Sequence, residues 1–193
     1  MSLANYLKIV ALTSLSVGVM SGCATMSKQE CQVADWQAVG YKDGKIGQDW
    51  DYLQNHAKAC GKIAIIPDRE KWESGRQQGL KEYCTPAVAY NIGTWGKTPS
   101  AVCPNEIRPA MAEANRLGQQ VYQLDEQRKK DLAERDKLQN QLTKLQKGEN
   151  LDFQTEREAR AYMLALPVKI QALNQKISNA DNRLSQLRAN RPL

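Results

Sequence analysis

Few side chains in this 193-residue sequence have the chemistry to act on anything, and their spacing limits what they can do. The single histidine, His56, stands four residues before Cys60, so on a helix the two share a face. Joined by Cys31 or Cys84, that pair has the nitrogen and thiolate donors of a zinc site, a weak alternative for His56 and Cys60. Asp35, Asp43, Asp49, Asp51 and Asp68 are the carboxylates in the same stretch. Two of them held at the right separation would perform the acid–base work of glycan hydrolysis, but sequence fixes no such separation, and capping or solvated acids are commoner. Ser74 and Ser100 lack the strand–turn–helix setting of an activated serine. The expectation is therefore a chain with no catalytic residue, no cofactor and no resident metal. Asp43, His56, Asp68, Trp72, Arg76 and Tyr83 form a candidate binding surface for an acidic or sugar ligand. The plainer arrangement pairs Arg76 with Glu73 or Asp68 and puts the aromatics in the core.

The five cysteines divide by setting. Lys8 lies in a short polar start, residues 9–20 are apolar with small residues mixed in, and Ser21-Gly22-Cys23 follows. That is the layout of a secretory signal over residues 1–22, and the run falls short of the ~20 apolar residues a spanning helix needs. Val19-Met20-Ser21-Gly22-Cys23 resembles the lipobox of bacterial lipoproteins, which implies cleavage before Cys23 and acylation of that cysteine. Ala24, where retained lipoproteins carry Asp, implies the outer membrane. With Cys23 set aside, Cys31, Cys60, Cys84 and Cys103 are an even set in an oxidising compartment and read as two disulfides. All three pairings remain open at this level.

These residues need elements to position them. Between Cys31 and Cys103 an aromatic followed by glycines three or four apart recurs three times. The units are Trp36-x3-Gly40-x3-Gly44-x2-Gly47, Trp72-x2-Gly75-x3-Gly79 and Tyr90-x2-Gly93-x2-Gly96. Each glycine costs a helix interior about 1 kcal/mol against alanine, so close helix-to-helix approach is expected in compensation. The spacing predicts a helix over 34–58 broken at a glycine, a second over 68–83 capped by Asp68, and a shorter third over 85–95. Ile63-Ala64-Ile65-Ile66 is the one strand-like run.

Beyond Pro104 cysteine and tryptophan vanish and apolar residues advance by threes and fours. One arm ends at Lys147-Gly148, and Thr155-Glu156-Arg157-Glu158 is a capping box opening the next. The short link makes the arms antiparallel neighbours. The second arm carries a stripe through Leu166, Ile170, Leu173, Ile177, Leu184 and Leu187, read as an interaction stripe, and Pro167 is expected to kink it. The fold class is all-α: a small disulfide-stapled cluster of short helices followed by a long antiparallel helical hairpin, or coiled coil. The expected divisions are 1–22 signal peptide, 23–30 lipidated tether, 31–104 cysteine-, glycine- and tryptophan-rich domain, and 105–193 hairpin.

Several motifs in register resemble a known family. They are Gly40-Tyr41-Lys42-Asp43-Gly44, His56-x3-Cys60, Pro67-Asp68-x3-Trp72-x2-Gly75-Arg76-x2-Gly79-Leu80-x2-Tyr83-Cys84-Thr85-Pro86 and Val102-Cys103-Pro104. The chain resembles the DUF2799-type lipoproteins of Gram-negative envelopes over about residues 31–104. The resemblance implies compartment and lipidation and carries no mechanism.

The net charge of +6 is too small and too dispersed for nucleic acid. The expected function is a structural or adaptor lipoprotein, lipid-anchored at the periplasmic face of the outer membrane, with a protein partner or a second copy of itself against the hairpin. The basic second arm, with Arg160, Lys169, Lys176, Arg183, Arg188 and Arg191, suits anionic headgroups or an acidic envelope polymer, though a solvated face is its commoner meaning. The alternative is a small periplasmic cell-wall-acting enzyme, or a ligand-binding module, using the Trp/Gly/Asp face of residues 35–96.

Overall fold

The computed structural model describes residues 25–149 and 152–192. The expected signal peptide and Cys23 lie outside the described residues. Seven α-helices run in order: α1 Lys28–Gln32, α2 Trp36–Lys45, α3 Leu53–Cys60, α4 Arg69–Tyr83, α5 Pro86–Gly93, α6 Arg108–Gln146 and α7 Glu156–Ala189. Short 3-10 turns, Trp50–Tyr52 and Gly61–Ile63, flank α3. No strand forms among the described residues. The 63–66 run turns out of a 3-10 turn, with Ile63 and Ile65 against the core and Ile66 exposed.

Caps decide most of the boundaries. The side chains of Asp35, Asp49, Asp68, Thr85 and Thr155 each accept a backbone N–H of the turn they open. Ser27 and Glu30 form a reciprocal capping box on α1. Three of the five carboxylates considered for acid–base chemistry are thus caps, each worth about 1 kcal/mol. The helix expected over 34–58 breaks at Gly47, whose φ of +73° suits glycine. The ring of Tyr83 also lies where a Cβ at Gly47 would be.

The glycine units explain the packing of the N-terminal lobe. A Cβ at Gly40 would sit 1.9 Å from the Trp72 carbonyl oxygen, and one at Gly44 would sit 2.1 Å from that of Arg76. The contact is reciprocal: a Cβ at Gly75 would lie 1.9 Å from the Gln37 carbonyl oxygen and one at Gly79 2.1 Å from that of Tyr41. Position numbers rise together on the two helices, so α2 and α4 run parallel, backbone against backbone. The third unit finds its counterpart outside the segment. Gly93 of α5 meets Gly118 of α6, and a Cβ on Gly118 would fall 2.1 Å from the Tyr90 carbonyl oxygen. The pair α5–α6 is parallel in the same manner.

Cys31 bonds Cys60, and Cys84 bonds Cys103, each pair 5.5 Å apart at Cα. The first bridge lies in a core of Trp36 and Trp72, and the second in a core with Leu80, Tyr83, Ala89 and Tyr90. That second core continues into Met111, Ala114 and Val121 of α6 and Leu184 and Leu187 of α7. The expected division at Pro104 therefore runs through a shared core, because the base of the hairpin is the partner that α5 needs for its glycine face.

Beyond this base α6 and α7 pair antiparallel. Arg128 bonds Asp181 across the seam, Tyr162 donates to Gln141, and Leu138 packs with Leu166 and Ile170. Gly148, at φ +79°, stops α6 as expected, and α7 continues through Pro167 as one helix. The stripe read as an interaction face is corrected here. Leu166, Ile170, Ile177, Leu184 and Leu187 are buried, with Leu173 packed beside them, so the stripe is the seam within the chain.

Substituting Gly40→Ala or Gly75→Ala drives a methyl into a carbonyl oxygen, and each should lower stability by about 3 kcal/mol or more. Gly61→Ala is the control, since it has helical φ and nothing within 4 Å of its Cβ position. Urea midpoints should fall for the first two and hold or rise for the third. Equal midpoints would show that the close approach is not required.

Candidate functional site

The residues singled out from sequence do converge, but inside the protein. Asp43 is carried by α2, His56 by α3, and Trp72 and Arg76 by α4, which the glycine contact brings alongside α2. One carboxylate oxygen of Asp43, Oδ2, accepts from Trp72 Nε1 at 2.7 Å and meets His56 Nε2 at 2.8 Å. The other imidazole nitrogen, Nδ1, lies 2.9 Å from the Thr25 hydroxyl. A neutral imidazole satisfies both bonds, with Nε2–H donating to Asp43 and Nδ1 accepting from Thr25. Tyr52 stands edge-on to the same ring, centroids 5.3 Å apart. Asp43, His56 and Trp72 are at most 7% exposed, so no substrate reaches them in this conformation.

Arg76 is equally engaged. It grips Glu73 with Nε and Nη2, donates from Nη1 to the Gln48 carbonyl at 3.1 Å, and lies over the Trp72 ring. The plainer pairing of Arg76 with Glu73 is the one found. The guanidinium holds the Glu73 carboxyl below the ordinary glutamate range, against the opposing effect of partial burial. Tyr83 is buried, and its hydroxyl accepts from the Ser100 backbone N–H at 2.8 Å. Asp68, the remaining member of the expected surface, caps α4. The six residues are thus bracing rather than an open face, because the glycines beside them draw the helices too close to leave a cleft.

The suggested zinc pair meets the same difficulty. Cys60 is bonded to Cys31, and both nitrogens of His56 have partners. Among the described residues no three His, Cys, Asp or Glu side chains are grouped as metal ligands. What the arrangement does chemically is hold charge and polarity in a small core with every bond made: no buried side-chain nitrogen or oxygen lacks a partner among the described residues. Thr25, which completes the network, was not foreseen. It lies 31 positions from His56, and no periodicity links residues so far apart.

On the hairpin, the cations Arg160, Lys169, Lys176, Arg183, Arg188 and Arg191 are all exposed. Asp181, which stands among them, bonds Arg128 of the opposite arm. Leu164 and Val168, one turn apart on the outer side of α7, are each 69% exposed.

Residues 35–120 match the family model described as a protein of unknown function (DUF2799). The matched stretch runs from the N-cap of α2 to just past Gly118, so it takes in both glycine-matched helix pairs and extends beyond Pro104 into the base of α6. No curated protein and no solved structure is significantly similar to the chain.

Replacing Asp43 by alanine strands the Trp72 N–H and the His56 ring without their acceptor, and should cost about 2–5 kcal/mol by urea unfolding. Asp51→Ala, at an exposed position, should stay within about 0.5 kcal/mol. Similar losses for the two would contradict the bracing role. The Glu73–Arg76 pair also sets a pH trend. A carboxyl whose folded pKa is depressed adds stability above its unfolded pKa, and that addition is lost as pH falls through the folded value. The advantage of the parent over Glu73→Gln should hold at pH 6 and above and shrink as pH drops below about 4.3.

Proposed function

We propose that this chain, with its DUF2799 domain, is a cell-envelope lipoprotein with a structural or adaptor role. In this reading it is cut before Cys23 and held to the periplasmic face of the outer membrane by acyl chains on that cysteine. The observation that carries the reading is the pairing of all four cysteines among the described residues. Two well-seated disulfides belong to an exported protein and are rare in a reducing cytosol. Cys23, the odd cysteine, follows an apolar run and two small residues, where lipid attachment gives it a role. Among the described residues no helix is long and apolar enough to cross a membrane. One acyl chain binds a bilayer only marginally, so stable anchoring takes more than one.

The adaptor role draws its support from where the polar residues lie. The groups best suited to catalysis, Asp43, His56 and Arg76, are buried and bonded to one another or to the backbone, and they act as struts. The hairpin arm α6, with 39 residues, is roughly 60 Å long, its base built into the disulfide-stapled lobe and its remainder projecting from it. Since the seam is closed within the chain, contacts with a protein partner fall to the outer side. There Leu164 and Val168 leave apolar surface open beside the cations of α7.

Fractionation of cells should recover the protein with outer membranes, and intact mass should show acylated Cys23. The other four cysteines should alkylate only after reduction. Cys23→Ser should move the chain to the soluble periplasmic fraction. A soluble, unmodified wild-type chain with reactive thiols would overturn the anchor and the compartment together. Photo-crosslinkers at positions 164 and 168 should trap one discrete adduct in cells, and a clean blank at both sites would remove the adaptor role.

A further inference from the structure

Where α5 ends, its last turn, the base of α6 and the end of α7 enclose a groove of about 450 Å³ that none of the buried network touches. That volume falls within the roughly 300–1,000 Å³ of small-ligand sites. Its floor is apolar, with Tyr90 and Val121 buried there. Trp95 and Tyr122 stand at its edge, 67% and 38% exposed. The tryptophans differ sharply in this respect. Trp36 and Trp72 fill the core, and Trp50 is stacked on Arg69, 4.1 Å from ring centroid to guanidinium carbon. Trp95 has no stacking partner among the described residues, and its indole N–H donates to nothing there.

The backbone that carries Trp95 is nevertheless held firmly in place. The Trp95 backbone N–H donates to the Ile92 carbonyl at 3.1 Å, and those of Gly96 and Lys97 close the same turn. Gly96 has φ +72°, and a Cβ there would lie 2.7 Å from a ring carbon of Tyr122, so the turn rests directly on that tyrosine. Asn115 of α6 fixes the turn from below, donating to the carbonyls of Ala89 and Lys97 at 3.0 and 2.9 Å. A large aromatic surface left open on a rigid support is ready for a ligand, with little backbone ordering entropy left to lose on binding.

The polar rim indicates which ligand. Lys129 pairs with Asp125 at 3.0 Å and with Glu126 at 2.8 Å, and Arg188 approaches Asp125 at 3.9 Å. Two acids and two bases cancel, so the rim offers no net attraction to a phosphate or other anion. It offers donors and acceptors side by side next to an aromatic plate. A sugar ring has the matching chemistry: an apolar C–H face, and hydroxyls that each donate and accept. A polyproline segment also suits aromatic grooves, but its tertiary amides carry no N–H, so it would bring Asp125 and Glu126 no donor beyond Lys129.

We infer that this groove is a carbohydrate site, in which one ring of a glycan chain stacks on Trp95 beside Tyr122. Its hydroxyls donate to Asp125 and Glu126 and accept from Lys129 and Arg188. This goes beyond the adaptor reading and is independent of acylation at Cys23, because the groove is lined only by residues between Tyr90 and Arg188.

The test uses the full mature chain with two probes: chitotetraose in calorimetric titration, and purified peptidoglycan sacculi in co-sedimentation. The wild-type protein should bind at least one of them. Trp95→Ala should weaken that binding by about tenfold or more, while Trp50→Ala, which removes the other exposed tryptophan, should leave it within twofold. Both variants alter exposed side chains, and an unchanged thermal midpoint verifies the fold. Wild-type binding to neither probe, equal binding by Trp95→Ala, or preference for a proline-rich peptide would each overturn the carbohydrate assignment.

Discussion

The closeness of α2 and α4 is the constraint on which the rest depends. Each helix points carbonyl oxygens at the glycine Cα atoms of the other, at distances that no side chain would permit. Four glycines in helix interiors cost a few kcal/mol together in intrinsic propensity. What they gain is continuous backbone contact, with dispersion and Cα–H···O attraction along the length of the pair. The polar network follows from that geometry. Asp43 reaches the Trp72 indole only because the helices are this near, and His56 then closes over the pair from α3. Arg76, one turn beyond Trp72, is near enough to the chain leaving α2 to bond the Gln48 carbonyl.

The same solution recurs between α5 and α6, and the two disulfides sit one in each core. A chain with a single phenylalanine cannot fill a wide interior with large side chains. Bringing backbones together shrinks the space to be filled, and cross-links offset the modest apolar burial that remains, each bridge adding roughly 2–4 kcal/mol. The hairpin grows out of the second of these units instead of being joined to it by a linker, so its base inherits the rigidity of the stapled domain.

Much of this was legible in the residues. Asp68, Thr85 and Thr155 mark helix starts because their short polar side chains satisfy N–H groups locally, and Gly148 marks a stop for an equally local reason. The demand for close helix approach was also legible from glycine spacing. Which glycines would meet was not, since Gly93 and Gly118 are 25 positions apart and only the folded chain brings them together. The fate of Asp43 and His56 was hidden by the same distance dependence, whereas the local pairing of Arg76 with Glu73 was legible. Polar residues read as surface until partners such as Thr25 and Gln48 are seen to satisfy them. The stripe on α7 was correctly apolar, but sequence gives a stripe no address, and its partner is the neighbouring arm. The distinct standing of Trp95 was equally hidden, since all four tryptophans share one cysteine-bounded stretch and only burial separates them.

The hairpin is not uniformly joined along its length. Its apolar clusters gather at two ends, around Val121 and Leu184 at the base and around Leu138 and Leu166 toward the tip, with Ile177 and Ala180 of α7 buried between them. The 17 residues from Val121 to Leu138 span roughly 25 Å, and Arg128 within that span bonds Asp181 across the seam. A helix pair built this way has two apolar clusters joined by a thinner stretch, so opening the outer end breaks fewer contacts than opening the base. The free end is thus the more lightly fastened part of a hairpin whose base is packed against a cross-linked core.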